Sequence, residues 1–303
     1  MNPIPVKALV AASLVAAGTL QASTINWAST LNRTNLTSTG ATMDASFRFE
    51  LGVFKGGFVP TRENTDQWLA NWVPAQRTPY NANTRWFTTN FVVTSNASPF
   101  TLGAKGYVWG FGEAATGGEW ILFRATNWTW PAPNPESPVI TSWTAKNANA
   151  VTLGDVQNSG AYHMRTEAVG SATGPAVTWN EWRAVELAAA TSPNGTPADL
   201  NANGVQDVFD YALQRGANPN PGSWMRWHEA DGKRHLEVRI PRRRDRPAAF
   251  VVEVSADLQT WTSGSTVTEV VEDSASALVV RDKTPVGEGG DRRFLRVRTI
   301  AGA

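Results

Sequence analysis

The sequence predicts a mainly β protein in which two β domains are joined by a short helical connector. Three observations favour this fold class. Apolar and polar residues alternate at period two before residue 177 and after residue 223, turn signals separate the alternating runs, and two short amphipathic helical patterns lie between them. The 303 residues suffice for about two domains. A hydrophobic content of 42% provides for a packed core and argues against wholesale disorder.

The first 22 residues predict a secretory signal peptide. Lys7 supplies the positive charge, residues 8–20 form an apolar run too short for a permanent membrane span, and cleavage is expected after Ala22. An uncleaved membrane anchor is the alternative. The mature chain is therefore expected in the periplasm, at the cell surface or outside the cell, with no transmembrane segment. It contains no cysteine, so no disulfide braces it.

Residues 23–177 predict an N-terminal β domain, a sandwich or jelly-roll-like fold. In "SFRFELGVF" four apolar residues alternate with Arg48 and Glu50, the pattern of a half-buried strand with a polar outer face. "KGYVWGFGEAATGGEWILF" predicts a hairpin, and Trp109 and Trp120 on its two strands are expected in the core.

One short helix is predicted inside this domain, in "NTDQWLANWVP". Asn64 is expected to cap it, Trp68 and Trp72 to share one of its faces, and Pro74 to end it. The stretch "NWTWPAPNPESP" is rich in proline and predicts a surface loop.

Residues 178–222 predict the helical connector. Thr178 and Glu181 form a capping box for a first helix at about 178–190. A second short helix, "VFDYALQRG", follows the loop and is expected to stop at Gly216.

Residues 223–303 predict a small C-terminal β sandwich of fibronectin-like or immunoglobulin-like character. Four alternating or apolar runs predict strands: "RHLEVRI", "AAFVVEVS", "ALVVRD" and "RRFLRVRTI". "EADGKR" is a strong hairpin signal, because Asp-Gly suits a two-residue turn.

The loop "DLNANGVQDVFD" predicts a calcium site. Calcium takes six to eight oxygen ligands, and a twelve-residue loop supplies them from positions 1, 3, 5, 7, 9 and 12 with glycine at position 6. Gly204 stands at position 6, and position 7 contributes a backbone carbonyl. The six predicted ligand residues are Asp199, Asn201, Asn203, Val205, Asp207 and Asp210. An ordinary Asn/Asp/Gly turn with helix-capping aspartates is the alternative.

Two features separate this loop from an EF-hand. Asp210 at position 12 is shorter than the usual bidentate glutamate, and "ATSPNGTPA" before the loop contains two prolines, so no continuous helix enters it. The loop resembles the dockerin type, in which Asp at position 12 is normal. A dockerin needs two such halves, and only one is found, so a structural staple between the domains is expected.

Three segments together resemble exported modular proteins of verrucomicrobial-type bacteria: "TWNEWRAVEL", "ADLNANGVQDVFDYALQRGANP" and "VVEVSADLQTW…RRFLRVR". In those proteins a Trp-containing helix leads into a D-x-[DN]-x-[DN]-G loop, an "(E/D)YAL" helix and a β module with an "S-x-DL-x-x-W" strand. The corresponding residues here are Trp182, Arg183, Asp199 to Asp210, Tyr211 to Leu213, Ser255, Asp257, Leu258, Trp261 and Phe294. The chain departs from the pattern at "YALQRG", where "YALG" is usual, and at Asp210, where Glu is commoner. The resemblance implies an exported, calcium-stapled modular protein and implies no reaction.

No catalytic constellation is found in the sequence. The three histidines, His163, His228 and His235, are scattered without metal-ligand spacing. Glu113 and Glu119 flank one hairpin turn and form the only candidate glycosidase pair that the sequence suggests, although turn carboxylates are commonly solvated charges.

Carbohydrate binding through tryptophan is the main alternative function. Trp128 and Trp130, in the proline-rich loop, are expected to be exposed and able to stack on sugar rings. The partner is then an extracellular polysaccharide or an envelope polymer.

The basic run "RIPRRRDRP" suggests an anionic partner, with Arg242, Arg243, Arg244 and Arg246. A solvated connector is the favoured interpretation, since the chain is expected to be exported and its formal net charge is only +1. No nucleic-acid partner is predicted. The sequence thus predicts a non-enzymatic, exported, calcium-binding protein with a role in adhesion or surface scaffolding.

Overall fold

The structure is a computed structural model that describes residues 22–114, 117–133, 139–170, 172–187, 199–200, 202–213, 220–243, 245–274, 276–287 and 292–301. Residues 1–21 of the predicted signal peptide lie outside these ranges. The fold is mainly β with few helices, as the sequence predicts.

Most of the described elements are strands, which lie before and after the helices of the connector. The strands before residue 178 are β1 (Thr24–Ala28), β2 (Asn35–Leu36), β3 (Arg48–Phe54), β4 (Trp72–Pro79), β5 (Thr88–Val92), β6 (Tyr107–Ala114), β7 (Gly117–Arg124), β8 (Ile140–Thr144), β9 (Ala150–Leu153), β10 (Asp155–Val156), β11 (Met164–Arg165) and β12 (Glu167–Ala168). The helices are α1 (Thr65–Asn71), α2 (Trp179–Glu186) and α3 (Asp207–Ala212), with 3-10 turns at Arg62–Asn64, Ala145–Asn147 and Pro221–Trp224. The later strands are β13 (Met225–Ala230), β14 (Lys233–Pro241), β15 (Ala248–Ser255), β16 (Thr262–Ser263), β17 (Thr268–Asp273), β18 (Ala277–Asp282) and β19 (Phe294–Ala301).

A six-stranded antiparallel sheet is the centre of the N-terminal part. Its order is β12-β7-β6-β3-β4, with β9 paired to β7. A three-stranded sheet, β5-β1-β8, covers one face, and a small sheet, β10-β11-β2, lies beside them. We call the apolar cluster associated with this face core 1; it includes Ile25, Trp27, Phe49, Leu51, Val53, Val108, Ile121, Phe123, Trp128, Trp130 and Trp143.

Alternation along β6 explains the sequence "WGFG". Trp109 and Phe111 point to one face of the sheet, while Gly110 and Gly112 point to core 1. A Cβ atom on Gly110 would lie 2.4 Å from the Phe49 ring, and one on Gly112 would lie 2.5 Å from the Phe47 ring. Glycine is required at both places because the neighbouring strand's aromatic rings fill the space.

The other face of the large sheet is also covered, by the helices and the C-terminal part. We call this apolar cluster core 2; it includes Trp68, Trp72, Tyr107, Trp109, Phe111, Trp120, Leu122, Leu153, Val177, Trp182, Leu187, Tyr211 and Ala212. Trp109 and Trp120 are buried in it as predicted. The prediction of a half-buried β3 with polar residues in water is wrong. Arg48 is 4% exposed and Glu50 1% exposed, because the connector packs over them.

Helix α1 is shorter than predicted. It ends at Asn71, and Trp72 begins β4, where it pairs with Phe54. Pro74 therefore lies inside a strand. The Asn64 side chain does not cap the helix; its oxygen accepts hydrogen bonds from Thr61 N–H and the Trp68 indole, each at 2.8 Å. Pairing with β3 satisfies the backbone of these residues, and this long-range contact overrides the helical pattern.

The C-terminal part contains two antiparallel sheets, β13-β14-β18-β17 and β16-β15-β19. Between them lies core 3, which includes Leu213, Trp224, Val238, Ile240, Val252, Leu278 and Val280. The four predicted strands are present as β14, β15, β18 and β19. The predicted hairpin joins β13 to β14, with Asp231 at φ +52° and Gly232 at φ +69°, the left-handed pair that a two-residue turn needs.

Helix α2 begins as predicted. Thr178 Oγ1 accepts a hydrogen bond from Glu181 N–H at 3.3 Å, and the Glu181 carboxylate accepts one from Thr178 N–H at 2.8 Å. The capping box is therefore confirmed. The described helix ends at Glu186, and residues 188–198 lie outside the described ranges, as do residues 214–219 at the predicted end of the second helix.

Candidate metal centre

The predicted calcium loop runs into α3, and its last four residues, 207–210, belong to that helix. Asn201, at the third loop position, is outside the described residues. The other five predicted ligand residues are described: Asp199, Asn203, Val205, Asp207 and Asp210.

The first half of the loop is a tight turn held by two side chains. The Asp199 carboxylate accepts hydrogen bonds from the N–H groups of Asn203 at 3.2 Å and Gly204 at 3.0 Å. The Asn203 side-chain oxygen accepts one from Val205 N–H at 2.8 Å. Gly204 has φ +84°, a backbone conformation that glycine adopts without steric cost. The glycine at position 6 therefore makes the sharp turn that the sequence predicts.

The second half of the loop contains a buried carboxylate. Asp207 begins α3 and is 3% exposed. Each of its carboxylate oxygens lies 3.2 Å from Leu200 N–H, the single donor to this carboxylate in the described part of the chain. The Asn203 side-chain amide donates to Asp210 at 2.9 Å. Burying a carboxylate is costly unless it is paired or coordinates a cation, and a cation at Asp207 would lower that cost.

The chemistry of the loop suits a hard cation. Its three aspartates carry three negative charges, and no Lys or Arg occurs between residues 199 and 213. Among the described residues, however, no three His, Cys, Asp or Glu side chains lie close enough together to form a metal site. The loop carboxylates accept hydrogen bonds from the loop's own amides instead. To bind calcium, the loop carboxylates would have to give up these hydrogen bonds and coordinate the ion.

The loop leads into the helix that joins the two β parts. On α3, Tyr211 is fully buried in core 2, and its hydroxyl donates to the Val177 carbonyl at 2.8 Å. Phe209 packs against core 3, and Leu213, immediately after the helix, belongs to it. Burial raises the pKa of Tyr211 to about 12, so its hydroxyl stays protonated as a donor at neutral pH. The position of α3 therefore sets how core 2 meets core 3.

A partly buried ion cluster attaches α2 to the large sheet. Arg77 on β4 donates to Glu50 at 2.6 and 2.8 Å and to Glu181 of α2 at 2.9 and 3.0 Å. Arg48 donates to the Glu181 carbonyl at 3.2 Å. Burial raises the pKa of Glu50, although the Arg77 guanidinium and the Trp72 indole oppose that rise. For Glu181, burial alone would raise the pKa, but the Thr178 backbone and Arg77 outweigh it and the pKa is lowered.

Sequence reasoning missed this cluster. The signal that could have found it is a pair of charged residues, Arg48 and Glu50, in a strand whose other residues are apolar. Charged residues are rarely buried unless they are paired, so the sequence by itself favours an exposed outer face for Arg48 and Glu50.

The basic run is not a solvated connector. Arg246 is 8% exposed, with its guanidinium 5.7 Å from the centroid of the Tyr211 ring. Its Nε and Nη1 atoms make no hydrogen bond within the described residues, and burial lowers its pKa to about 10. Arg243 bonds to Asp245 at 2.7 and 3.0 Å, and Arg244 lies outside the described residues. The prediction failed because the connector covers this end of the sheet.

Trp128 and Trp130 are not exposed, which corrects the predicted aromatic platform. They are 2% and 1% exposed and belong to core 1. Trp130 packs against Phe91, Phe100 and Trp143. Proline-rich composition predicted the loop but not its inward-facing side chains, since apolar rings are buried wherever the sheet leaves room.

The candidate glycosidase pair has one member in the interior. Glu119 is fully buried, and its carboxylate accepts hydrogen bonds from Ser38 and Thr166 at 2.5 to 2.9 Å. The Glu113 side chain lies outside what the structure describes. His163 is buried with Nδ1 2.8 Å from the Gln157 carbonyl, and His235 places Nδ1 2.9 Å from the Asp282 carbonyl.

Within the described residues, no helix is both long and apolar enough to cross a membrane. Comparison of the chain with known protein families, with curated proteins and with solved structures finds no significant match.

Proposed function

We propose that this is an exported modular protein in which calcium staples two β domains together, and that it acts without catalysis in adhesion or scaffolding at the cell surface. The observation that carries the proposal is the buried Asp207 carboxylate at the start of α3, the helix that packs against both core 2 and core 3. The ion would be held by the side chains of Asp199, Asn201, Asn203, Asp207 and Asp210 and by the Val205 carbonyl.

Calcium bound in this loop would fix the first turn of α3. Because that helix contacts both cores, the ion's binding free energy would add to the stability of the whole molecule rather than of the loop alone. Extracellular calcium modules bind with dissociation constants of about 10⁻⁴–10⁻³ M. At about 10 mM calcium this corresponds to about 1.4–2.7 kcal/mol of stabilisation.

The test is thermal unfolding of the purified protein in excess chelator, in calcium and in magnesium, followed by circular dichroism. Calcium is expected to raise Tm by a few degrees and magnesium to raise it less, because magnesium gives up its water ligands reluctantly. Asp199→Ala and Asp207→Asn are expected to abolish the calcium-dependent part of the shift.

Asp231→Asn is the matched control. Asp231 is an exposed aspartate at the β13–β14 turn, and asparagine tolerates its φ of +52°. This variant is expected to keep the full calcium response. An unchanged Tm in calcium for the unsubstituted protein, or an equal response in all variants, contradicts the staple.

A further inference from the structure

A polar cleft of about 490 Å³ opens beside the tryptophans of the N-terminal part. It lies between the segment after β7 and strand β8 with the 3-10 turn that follows. Its wall contains three asparagines, three hydroxyl side chains and two tryptophans: Asn127, Asn147, Asn149, Thr126, Thr141, Ser142, Trp128 and Trp143.

The tryptophans form the floor of this cleft through their edges. The rings of Trp128 and Trp143 stack 5.4 Å apart with an interplanar angle of 7°, so each covers a face of the other. They are 2% and 4% exposed. Neither indole Nε1–H donates a hydrogen bond to any residue that the structure describes. The stacked pair therefore leaves no open flat ring face on which a ligand could stack.

The asparagines supply further hydrogen-bonding groups. Asn149 is held in place, because its side-chain oxygen accepts from Thr126 N–H at 2.8 Å and its amide donates to Thr126 Oγ1 at 3.2 Å. Asn127 and Asn147 are exposed, and their side-chain amides have no hydrogen-bond partner among the described residues. Each amide presents two donors and one acceptor oxygen.

None of the described residues that line the cleft is charged. An ionic ligand would therefore find no counter-charge among these residues, and a peptide strand would find no apolar pockets for its alternate side chains. Paired donors and acceptors around a rigid floor match a ligand that carries many hydroxyl groups. Ligand sites of about 300–1,000 Å³ are common, and this cleft falls within that range.

We propose that this cleft binds a neutral oligosaccharide, with Asn127 and Asn147 as its recognition residues and the Trp128 and Trp143 indole edges as its floor. The hydroxyl side chains of Thr141 and Ser142, on edge strand β8, extend the polar wall. The cleft shares no residue with the calcium loop, so the proposed oligosaccharide binding does not depend on whether that loop binds calcium.

The test uses four neutral hexasaccharides as probes, built from glucose, xylose, mannose and N-acetylglucosamine, and hexagalacturonate as a charged probe. Binding is measured by isothermal titration calorimetry and by the indole Nε1–H resonances in ¹⁵N–¹H correlation spectra. At least one neutral probe is expected to bind with a dissociation constant below about 1 mM and to shift two indole resonances. The double variant Asn127→Ala/Asn147→Ala is expected to weaken that binding by about tenfold or more, since two hydrogen-bonding groups are lost.

Asn83→Ala is the matched control, because Asn83 is an exposed asparagine outside the cleft. It is expected to bind the same probe as tightly as the unsubstituted protein. The proposal is overturned if no neutral probe binds, if the double variant binds as well as the control, or if hexagalacturonate is the preferred probe. Because both substituted asparagines are exposed and their side chains bond to no residue that the structure describes, the double variant is expected to fold normally.

Discussion

Glu253, in the middle strand of the C-terminal three-stranded sheet, pairs with two arginines of the neighbouring strand. Its carboxylate accepts hydrogen bonds from Arg296 at 2.6 Å and from Arg298 at 2.9 and 3.2 Å. Hydrogen bonds from Arg298 and then Arg296 lower the pKa of Glu253 to about 2. Both arginines are about half exposed, so solvent screens the pairs and their net contribution to stability is modest.

This shift predicts a pH dependence of stability at Glu253. A depressed carboxyl pKa stabilises the folded state above the ordinary glutamate value of about 4.3, and that contribution is lost as the pH falls toward 2. Glu253→Gln is expected to be less stable than the unsubstituted protein at pH 7, with a difference that shrinks between pH 4.5 and about 2. Urea unfolding across this range measures it. A difference that stays constant with pH would show that the loss is one of packing alone.

At the scale of single elements, the stability of helix α2 depends on the contacts of its first turn. The capping box ties Thr178 to Glu181, and the same Glu181 carboxylate accepts from Arg77 on the large sheet. The helix has eight residues, too few to be stable by propensity alone. Its start is therefore held both by its own cap and by an ion pair to the sheet.

Removing the cap tests that dependence. Thr178→Ala deletes the acceptor for Glu181 N–H and is expected to lower the free energy of unfolding by about 1 kcal/mol. Thr178→Ser keeps the hydroxyl and is expected to lose only a few tenths of that amount. Equilibrium urea unfolding at pH 7 compares the two. Equal losses in both variants would mean that the threonine methyl group, rather than the hydrogen bond, is what matters.

At the scale of the whole molecule, α3 and the segments around it hold the two β parts together. Arg243 N–H donates to the Ala212 carbonyl at 3.0 Å, and Val177 N–H donates to the Asp245 carbonyl at 2.9 Å. The Tyr211 ring packs against Trp179 and Trp182 and under Arg246. These contacts bring the end of the N-terminal part, α3 and the C-terminal part into one buried region.

Tyr211→Phe probes this junction without changing its shape. The substitution leaves the Val177 carbonyl without its hydroxyl donor and is expected to cost about 1–3 kcal/mol. Tyr162→Phe is the control, because the Tyr162 hydroxyl bonds to Asp155 at the surface, where water can replace it. Urea unfolding measures both. A loss at Tyr211 no larger than at Tyr162 would show that the junction hydrogen bond adds little to stability.

Local patterns in the sequence were sufficient for many elements. Apolar runs on either side of a Gly-rich turn predicted β6 and β7, and alternating or apolar runs predicted the C-terminal strands. The Asp-Gly pair predicted the β13–β14 turn, and Thr178 with Glu181 predicted the start of α2. In the calcium loop, the position of Gly204 predicted the sharp turn. All of these depend on residues a few positions apart, so neighbouring side chains contain the information. Whether the loop binds calcium stays a prediction.

The tertiary structure alone decided which faces are covered. Periodicity places Arg48 and Glu50 on the same face of β3, but only the packing of the connector shows that this face is buried. Trp128 and Arg246 are likewise buried by residues that the local sequence pattern does not reveal. Trp72 fits a helical pattern in the sequence, but in the structure it pairs with a β3 residue 18 positions earlier in the chain. A sequence pattern shows which side chains point the same way. What lies opposite them depends on contacts between residues far apart along the chain.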